Sequence, residues 1–202
     1  MTNMKIEIRH AVADDSPIIA RAVAMAIGDE QALHHYCGEK YLLVLQAIAR
    51  AENTQYSWRS ALIAEADGVV AGAVVGYDGA LLEQLRANTF AIIEHHTTIR
   101  PSIPNETEAG EYYLDSVAVL PQFRGLGIGL RLISALCEEA FGLGHERVGL
   151  IVEHDNKQAQ ALYSSLGFQC VGRRIFFGHQ MWHMQLEKNF TRDKFAKSHS
   201  VE

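Results

Sequence analysis

Apolar and polar positions along the chain fall into short alternating runs and longer runs with helical spacing. The alternating run "KIEIRHA" predicts a first strand, and "SPIIARAVAMAI" predicts a helix that begins at a Ser-Pro pair. A second helical pattern lies in "EKYLLVLQAIARAEN", and the segment "GDEQALHHYCG" before it fits either a loop or a short helix. Two further runs in "SALIAEADGVVAGAVVGYDG" meet at Asp67-Gly68, a dipeptide that favours a two-residue turn. They predict an antiparallel hairpin.

The second half of the chain begins with a helical pattern in "ALLEQLRANTFAIIEHH" and a proline-containing loop in "TTIRPSIPNETEAGEYY". An apolar strand then leads through a glycine run into the helical "LRLISALCEEAFGLG". The strand "RVGLIVE" and the helix "DNKQAQALYSSLGF" repeat this order, and the final strands are "QCVGRRIFF" and "HQMWHMQLEK". These elements predict one domain over residues 1–188 and a frayed polar tail over residues 189–202.

Composition narrows the classes of partner. The net charge is −6 and the isoelectric point is near 5.9, which argues against nucleic acid or an anionic membrane surface as a partner. The sequence shows neither a run as long as a membrane span nor a signal-peptide pattern, so a cytoplasmic location is expected. Cys37, Cys137 and Cys170 lie far apart, and the histidines lack partners at metal-binding spacing. Buried free thiols and no metal are therefore expected.

The stretch "DSVAVLPQFRGLGIGLRLISAL" places Gly125, Gly127 and Gly129 where a helix is about to begin. A helix N-terminus offers unpaired amide groups and the positive end of the helix dipole, and glycines let an anion approach them closely. A Walker loop would need a lysine after the last glycine, and a dinucleotide fingerprint would need glycine in place of Leu130. The stretch therefore predicts a phosphate cradle of another kind.

The same stretch resembles the acetyl-CoA loop of the GNAT superfamily of N-acetyltransferases, R/Q-x-x-G-x-G/A, at Arg124, Gly127 and Gly129. Downstream, "NKQAQALYSSLGF" is similar to the family pattern N-x-x-A-x-x-L-Y-x-x-x-G-F, which begins here at Asn156. The lead-in "VAVLPQF" is also typical of the family. The resemblance is clear over residues 114–168, whereas the N-terminal half matches in the order of its elements.

The resemblance implies an α/β (α+β) fold with a single domain, in which a central mixed, largely antiparallel twisted sheet is flanked by helices on both faces. Two central strands, one ending near Val119 and one starting near Arg147, are expected to splay apart and hold the pantetheine arm of acetyl-CoA, the co-substrate. Cofactor contacts are expected from one strand, the glycine loop and a later helix: Val117, Ala118, Val119, Arg124, Gly125, Leu126, Gly127, Ile128, Gly129, Leu130, Asn156, Ala159 and Tyr163.

Catalytic roles follow from the same resemblance. A bulge in the strand before the loop would free the N–H of Val117 or Val119 to polarise the thioester carbonyl. Tyr163 matches the tyrosine that protonates the leaving thiolate. The resemblance does not assign the general base. Asp115 and Glu111 are candidates because regular alternation puts both on one face with Val117, although a bulge would change that phase.

The predicted function is transfer of an acetyl group from acetyl-CoA to a primary amine of a small molecule or peptide, by direct attack in a ternary complex. A non-catalytic acyl-CoA sensor and a transferase for a longer acyl-CoA are the alternatives. Acceptor recognition is expected from residues 28–58 and 78–111. There the acidic "NETEAGE" and Glu94 either line a cavity for a cationic amine or are solvated. Pairing of the final strands would allow a homodimer.

Overall fold

The computed structural model describes residues 4–189, which form seven strands and six α-helices. The predicted tail therefore lies outside the described residues, apart from Asn189. The strands are β1 (Ile6–His10), β2 (Ala61–Ala66), β3 (Val69–Asp78), β4 (Tyr112–Val119), β5 (Arg147–Glu153), β6 (Gln169–Phe176) and β7 (His179–Glu187). The helices are α1 (Ser16–Ile27), α2 (Glu30–Cys37), α3 (Tyr41–Arg50), α4 (Leu82–His96), α5 (Ile128–Gly142) and α6 (Lys157–Leu166).

All seven strands form one sheet in the order β1-β2-β3-β4-β5-β7-β6. The β4–β5 pair is parallel, and every other neighbouring pair is antiparallel. The predicted hairpin joins β2 to β3, with Asp67 at φ 50° and Gly68 at φ 78°. Positive φ at both turn residues matches the twist of the flanking strands, which is why an Asp-Gly pair stands there.

Helices cover both faces of the sheet, which confirms the predicted fold class. On one face, α5 and α6 pack their apolar sides over the middle strands, with Leu132 and Leu136 fully buried. On the other face, α1 to α4 cover Ile63 and Val75 with side chains such as Ile19. Truncation of a fully buried leucine such as Leu132 to alanine costs about 2–5 kcal/mol in proteins generally, so these two layers supply much of the stability.

The segment that was open to two interpretations, "GDEQALHHYCG", forms the short helix α2. Asp29 precedes this helix, and its carboxylate accepts hydrogen bonds from the amides of Gln31 and Ala32 at 2.8 and 3.2 Å. Such an N-cap satisfies two amides that otherwise have no partner, which stabilises a helix of only eight residues.

The β4 and β5 strands separate soon after they begin to pair. Their register has two pairs, Tyr112 with Val148 and Tyr113 with Gly149. Beyond these pairs the strands diverge toward their carboxyl ends, so the predicted splay between two central strands is present. A gap of this kind exposes backbone groups and side chains of both strand ends to a common space.

Candidate functional site

The two sequence motifs meet at the open end of the gap. Strand β4 ends at Val119 and runs into the glycine loop and α5, whereas β5 ends at Glu153 and runs into α6. In open sheets, ligands bind beyond the carboxyl ends of parallel strands where neighbouring connections diverge. The topology thus brings the glycine loop and the start of α6 to opposite sides of one opening.

The glycine loop has the geometry of an anion cradle. Gly125 and Gly127 have φ of 80° and 73°, in the left-handed region, and a Cβ placed on either would meet no atom within 4 Å. The amides from Gly125 to Leu130 donate to no carbonyl or side-chain acceptor in the described part of the chain. Ile128 is buried and anchors the helix start, so the amides stay directed outward.

The remaining loop residues hold this cradle against β4. The Nε of Arg124 lies 3.3 Å from the carbonyl oxygen of Val119, to which it donates. Gly129 has no Cβ beside Val119, whose methyl group is 3.7 Å from the position that such a Cβ would take. Leu126 and Leu130 are 44% and 41% exposed, so their side chains leave the outer surface of the loop apolar.

A pocket of about 430 Å³ occupies the gap. Among the residues that the resemblance implicated, Val117, Asn156, Ala159 and Tyr163 line it. Asn156 also caps α6, because its Oδ1 accepts a hydrogen bond of 3.0 Å from the amide of Ala159. The two roles of Asn156, cap and pocket residue, coexist in the structure.

Tyr163 lies on the pocket wall and is 9% exposed. Burial raises its pKa to about 12, so the phenol keeps its proton at neutral pH. Its ring packs edge-on against Phe168, with centroids 5.8 Å apart, and its hydroxyl makes no hydrogen bond within residues 4–189. The side chain is therefore held by its ring while its proton is available to a group in the pocket.

A bulge interrupts β4 at Asp115. Ser116 pairs with Val75 and Leu114 with Gly76, so Asp115 has no partner on β3. The bulge shifts the alternation: Leu114 and Val117 both pack toward α5, whereas Ala118 packs toward the α1–α4 face. The regular alternation considered for this strand does not hold, because the extra residue changes the phase.

Asp115 lies in the pocket wall at this bulge. Its Oδ1 accepts a hydrogen bond from the Ser116 hydroxyl at 2.8 Å, and its Oδ2 lies 3.2 Å from the Tyr77 hydroxyl. Burial, with a further contribution from the charge of Glu106, raises the pKa of Asp115 to about 7. A carboxyl group with this pKa can accept and release a proton near neutral pH.

Glu111, the other candidate base, occupies a different environment. It is 1% exposed and is not among the residues that line the pocket. Its carboxylate accepts hydrogen bonds from Thr107 at 2.6 Å, Gln185 at 2.7 Å and His183 at 2.9 Å. Burial opposes ionisation of Glu111, but these hydrogen bonds outweigh it and lower its pKa. Gly149 allows this arrangement, because a Cβ there would overlap the carboxylate.

For the far side of the pocket, the sequence indicates only two ranges, residues 28–58 and 78–111, and no individual binding residue. Both expected ranges contribute, through Asp29 and Tyr56 from the first and Glu106 from the acidic segment "NETEAGE", while Glu94 is exposed. Sequence reasoning missed Tyr77, Gln55 and Arg86, which surround Glu106 and Asp115 behind this wall. It also did not assign the aromatic pair Phe176 and Phe177 at the β6–β7 turn. These residues belong to no short motif, so no local signal identified them.

The fold and site define the family. A model of the Acetyltransferase (GNAT) family matches residues 30–168, which is more than half of the chain. The chain therefore belongs to the GNAT family of acetyltransferases. The match includes the glycine loop and extends to Phe168 at the end of the second motif.

Curated relatives match over shorter segments. Thialysine N-epsilon-acetyltransferase of Mus musculus is 42% identical over 57 residues, 28% of this chain and 34% of the relative. N-alpha-acetyltransferase RimI of Mycobacterium tuberculosis is 45% identical over 64 residues, 32% of this chain and 39% of the relative. Mycothiol acetyltransferase of Paenarthrobacter aurescens is 38% identical over 84 residues, 42% of this chain and 25% of the relative. The chain thus spans well under half the length of these relatives.

Solved structures match over most of the chain. A crystal structure described as an acetyltransferase is 33% identical, with a TM-score of 0.76, and the match covers 90% of this chain and 98% of that one. The structure of YncA from Salmonella typhimurium with its cofactor acetyl-CoA has a TM-score of 0.59 at 22% identity, over 90% and 93% of the two chains. The second likeness shows the shared fold.

Neither a metal-binding cluster nor a membrane-spanning helix is found in the part of the chain that the structure describes. No three His, Cys, Asp or Glu side chains within residues 4–189 come together in a way that would hold a metal ion. Over the same range, none of the helices is both long enough and apolar enough to cross a bilayer.

Proposed function

We propose that this protein is an N-acetyltransferase that transfers the acetyl group of acetyl-CoA to a primary amine of a small molecule or peptide, by direct attack in a ternary complex. One observation carries the proposal. The amides of the glycine loop, which have no hydrogen-bond partner in the described chain, follow directly on the end of β4, and the free hydroxyl of Tyr163 lines the pocket between β4 and β5. Membership of the GNAT family supports it independently.

The residues at the gap fit acetyl-CoA. The amides of residues 125–130 suit a pyrophosphate, and the space above Gly125 and Gly127 is open where a side chain would close it. Val117, Asn156 and Ala159, which line the pocket, would hold the pantetheine arm, with Ala118 and Val119 following along β4. Bound there, acetyl-CoA supplies an activated acetyl thioester.

Two groups of the chain would assist the loss of the thiol. A backbone N–H beside the bulge, at Val117 or Val119, would donate to the carbonyl oxygen as negative charge develops on it. Tyr163 would give its proton to the sulfur as the carbon–sulfur bond breaks and the carbon–nitrogen bond forms. Its pKa of about 12 keeps the phenol protonated at neutral pH, so the proton is present on Tyr163 before the reaction.

Asp115 is the group we assign to the other proton transfer. An amine acceptor is an ammonium ion at neutral pH and must lose a proton before it attacks. Asp115 lines the pocket and has a pKa of about 7, whereas Glu111 is enclosed by three donors and has a lowered pKa. The pocket environment therefore favours Asp115 over Glu111 as the base.

Direct attack is supported by the positions of the thiols. Cys37 and Cys137 are buried, and burial raises the pKa of each to about 12, while Cys170, contrary to the expectation of buried thiols, is exposed on β6. No cysteine is among the residues that line the pocket in the described part of the chain. A covalent acetyl-cysteine step would need a thiolate at the gap.

The acceptor would enter from the side opposite the glycine loop. A second groove of about 460 Å³ shares Asp29, Ala32 and Phe177 with the pocket and continues over the β6–β7 turn. The groove offers room for the part of an acceptor beyond its amine, which suits either an extended small molecule or a peptide.

Calorimetry and a thiol-release assay together test the function. Acetyl-CoA is expected to bind and to raise the unfolding midpoint, and CoA release is expected with some members of a panel of small amines, amino acids and peptides. Binding without release across the panel would favour the acyl-CoA sensor. Faster release with propionyl- or butyryl-CoA than with acetyl-CoA would favour the transferase for a longer acyl group. Absence of binding at millimolar acetyl-CoA would contradict the proposal altogether.

A further inference from the structure

Behind Asp115 lies a buried polar group whose members come from five separate segments of the chain. Its members are Gln55, Tyr77, Arg86, Glu106 and Asp115, all of them buried except Asp115, which is partly exposed to the pocket. Arg86 and Glu106 form a close ion pair with both side chains below 7% exposed. Buried charges and polar groups of this kind are costly unless each is hydrogen-bonded.

Hydrogen bonds link the members of this group to one another. Glu106 accepts from Arg86 at one oxygen and from Gln55 Nε2, at 3.0 Å, at the other. Gln55 Nε2 has a second hydrogen, and the Tyr77 oxygen lies 3.2 Å away to accept it. The Tyr77 hydroxyl lies 3.2 Å from both Glu106 Oε1 and Asp115 Oδ2, but it has a single proton. Glu106 already has two donors, whereas Asp115 Oδ2 has none besides Tyr77, which favours donation of that proton to Asp115.

The orientation of the Gln55 amide makes the Tyr77 oxygen an acceptor, so the Tyr77 proton is directed away from Gln55. Turning the amide over would place its oxygen against the Glu106 carboxylate, which repels it. In the observed orientation Gln55 Oε1 is buried without a hydrogen-bond partner in the described chain. The amide thus gives up one acceptor contact to direct both of its hydrogens toward Glu106 and Tyr77.

We propose that Tyr77 is a positioning residue for the general base: with its oxygen held by Gln55, it donates its only proton to Asp115 and orients that carboxylate toward the acceptor amine. The inference rests on the proposed function and deepens it, because it names the residues that prepare the base. Tyr77 does not itself line the pocket, so it acts on the substrate only through Asp115.

Several charged or titratable groups face Asp115 and set the balance that Tyr77 adjusts. Burial and then the negative charge of Glu106 raise the pKa of Asp115, whereas the hydrogen bonds from Ser116 and Tyr77 and the positive charge of Arg86 lower it. The nearby phenols stay neutral, because burial raises the pKa of each. These charged or titratable groups around Asp115 are Tyr36, Tyr56, Tyr77, Arg86, Glu106 and Tyr113, with Asp29, Glu153, Tyr163 and His179 on the pocket wall.

Replacement of the hydroxyl tests the proposal. Tyr77→Phe removes the donor to Asp115 and keeps the ring that packs against Tyr113, with centroids 5.7 Å apart. We expect kcat/KM for the amine to fall about tenfold, the acidic limb of the pH–rate profile to move to higher pH, and KM for acetyl-CoA to stay unchanged. The direction follows because loss of a hydrogen bond to the carboxylate raises its pKa.

Tyr112→Phe is the matched control. Tyr112 lies next to Tyr113 on the same strand, and its buried hydroxyl donates to the carbonyl of Gly76 at 2.9 Å, away from the Asp115 group. Both variants lose a buried hydroxyl, with one hydrogen bond in Tyr112→Phe and those with Asp115 and Gln55 in Tyr77→Phe, so both are expected to lower the unfolding midpoint. Only Tyr77→Phe is expected to move the pH profile.

A second variant should move the profile in the opposite direction. Glu106→Gln removes the charge that raises the pKa of Asp115 and leaves the charge of Arg86, so the acidic limb should move to lower pH. A structural disturbance has no reason to give opposite shifts in the two variants. Should Glu106→Gln fail to fold with Arg86 unpaired, Tyr77→Phe and its control still decide the question.

A measurement without turnover separates this inference from the proposed function. The pKa of Asp115 can be followed through its carboxyl carbon by NMR titration of the full protein and the Tyr77→Phe variant. A higher pKa in the variant, with transfer activity in the wild type, supports the proposal. An unchanged pKa and profile in Tyr77→Phe would overturn the positioning role alone. Lack of transfer by the wild type with any amine would overturn the proposed function, and this inference with it.

Discussion

The proposed cofactor side and the proposed acceptor side of the gap are formed by different kinds of groups. The cofactor side consists of backbone amides, two left-handed glycines and one helix cap, within residues 124–163. The acceptor side consists of buried side chains, among them Gln55, Tyr77 and Glu106, from segments far apart in the chain. A phosphate can be held by backbone geometry, which a short motif encodes, whereas a tuned carboxylate needs surroundings that only packing provides.

The contrast predicts that changes on the two sides separate kinetically. Variants on the cofactor side should change binding of acetyl-CoA, and variants on the acceptor side should change the pH profile and KM for the amine. Tyr163 belongs to both sides. Its helix carries the second family motif, and its hydroxyl is the proposed proton donor to the leaving thiolate.

The largest effect is expected at Tyr163. Tyr163→Phe should lower kcat by about 10²–10³-fold with little change in affinity for acetyl-CoA, because the ring stays packed on Phe168 and only the proton is lost. Steady-state kinetics with calorimetric binding of acetyl-CoA measures both. Retention of wild-type kcat would show that the thiolate leaves without this acid.

The next largest effect is expected from a comparison of the two carboxylates of the β4 region, Asp115 and Glu111, in activity and in pH dependence. Asp115→Asn should lower kcat/KM for the amine about 10²-fold, and wild-type activity should rise with pH through about 7 as Asp115 loses its proton. Because the folded-state pKa is raised, wild-type stability should fall as pH rises from the ordinary value of 3.8 to about 7, and this fall should be smaller in the variant. Chemical denaturation across this pH range measures the second effect.

Glu111→Gln is the partner experiment. Glu111 has a lowered pKa, so its stabilising contribution is present above its ordinary pKa of 4.5 and is lost as pH falls through the lower folded-state value. The variant should lose on the order of 1–3 kcal/mol at neutral pH, show a flatter acid limb of stability, and keep its pH–rate profile. A loss of activity at temperatures where the variant is fully folded would restore Glu111 as the base.

A smaller effect is expected in the glycine loop. Gly127→Ala places a Cβ at φ 73°, which should cost about 1–2 kcal/mol of stability and weaken binding of acetyl-CoA about tenfold. Gly144→Ala is the matched control. Gly144 follows the other end of α5 at φ 98°, with open space around it, so it carries similar strain far from the loop. Equal affinity for acetyl-CoA in the two variants would argue against a cradle at Gly127.

The two helix caps give the smallest and most specific comparison. Asn156→Ala and Asp29→Ala each remove an N-cap and should each cost about 1 kcal/mol of stability. Asn156→Ala should raise KM for acetyl-CoA a few-fold, and Asp29→Ala should instead raise KM for the amine, since Asp29 lines the acceptor end. The same change in both variants would contradict the division of the gap into two sides.

Prediction from sequence succeeded where the signal was local. The Asp67-Gly68 turn and the glycine loop with its start of α5 are each specified within a few residues. The sequence pattern does not decide between a loop and a helix for α2, because a helix of eight residues depends on its cap and on burial of its apolar side. The roles assigned to the residues of the gap stay predictions until the variants above are measured.

Two carboxylates four positions apart show where sequence reasoning stops. Regular alternation made Asp115 and Glu111 equivalent candidates, and the bulge at Asp115 separates them. Asp115 then faces the pocket beside Tyr77, while Glu111 fills the space left by Gly149 and binds three donors from other segments. Whether a strand bulges depends on its pairing with β3, and no residue of β4 alone carries that information.

The sequence by itself determined the family, the order of the elements and the conformation of the glycine loop, because backbone conformation in a turn or a helix start is set by neighbouring residues. The tertiary structure alone decided which carboxyl group meets the pocket and what surrounds it. Desolvation, ion pairing and the direction of a shared proton depend on atoms that distant segments bring together, as Gln55, Tyr77 and Arg86 do behind Asp115.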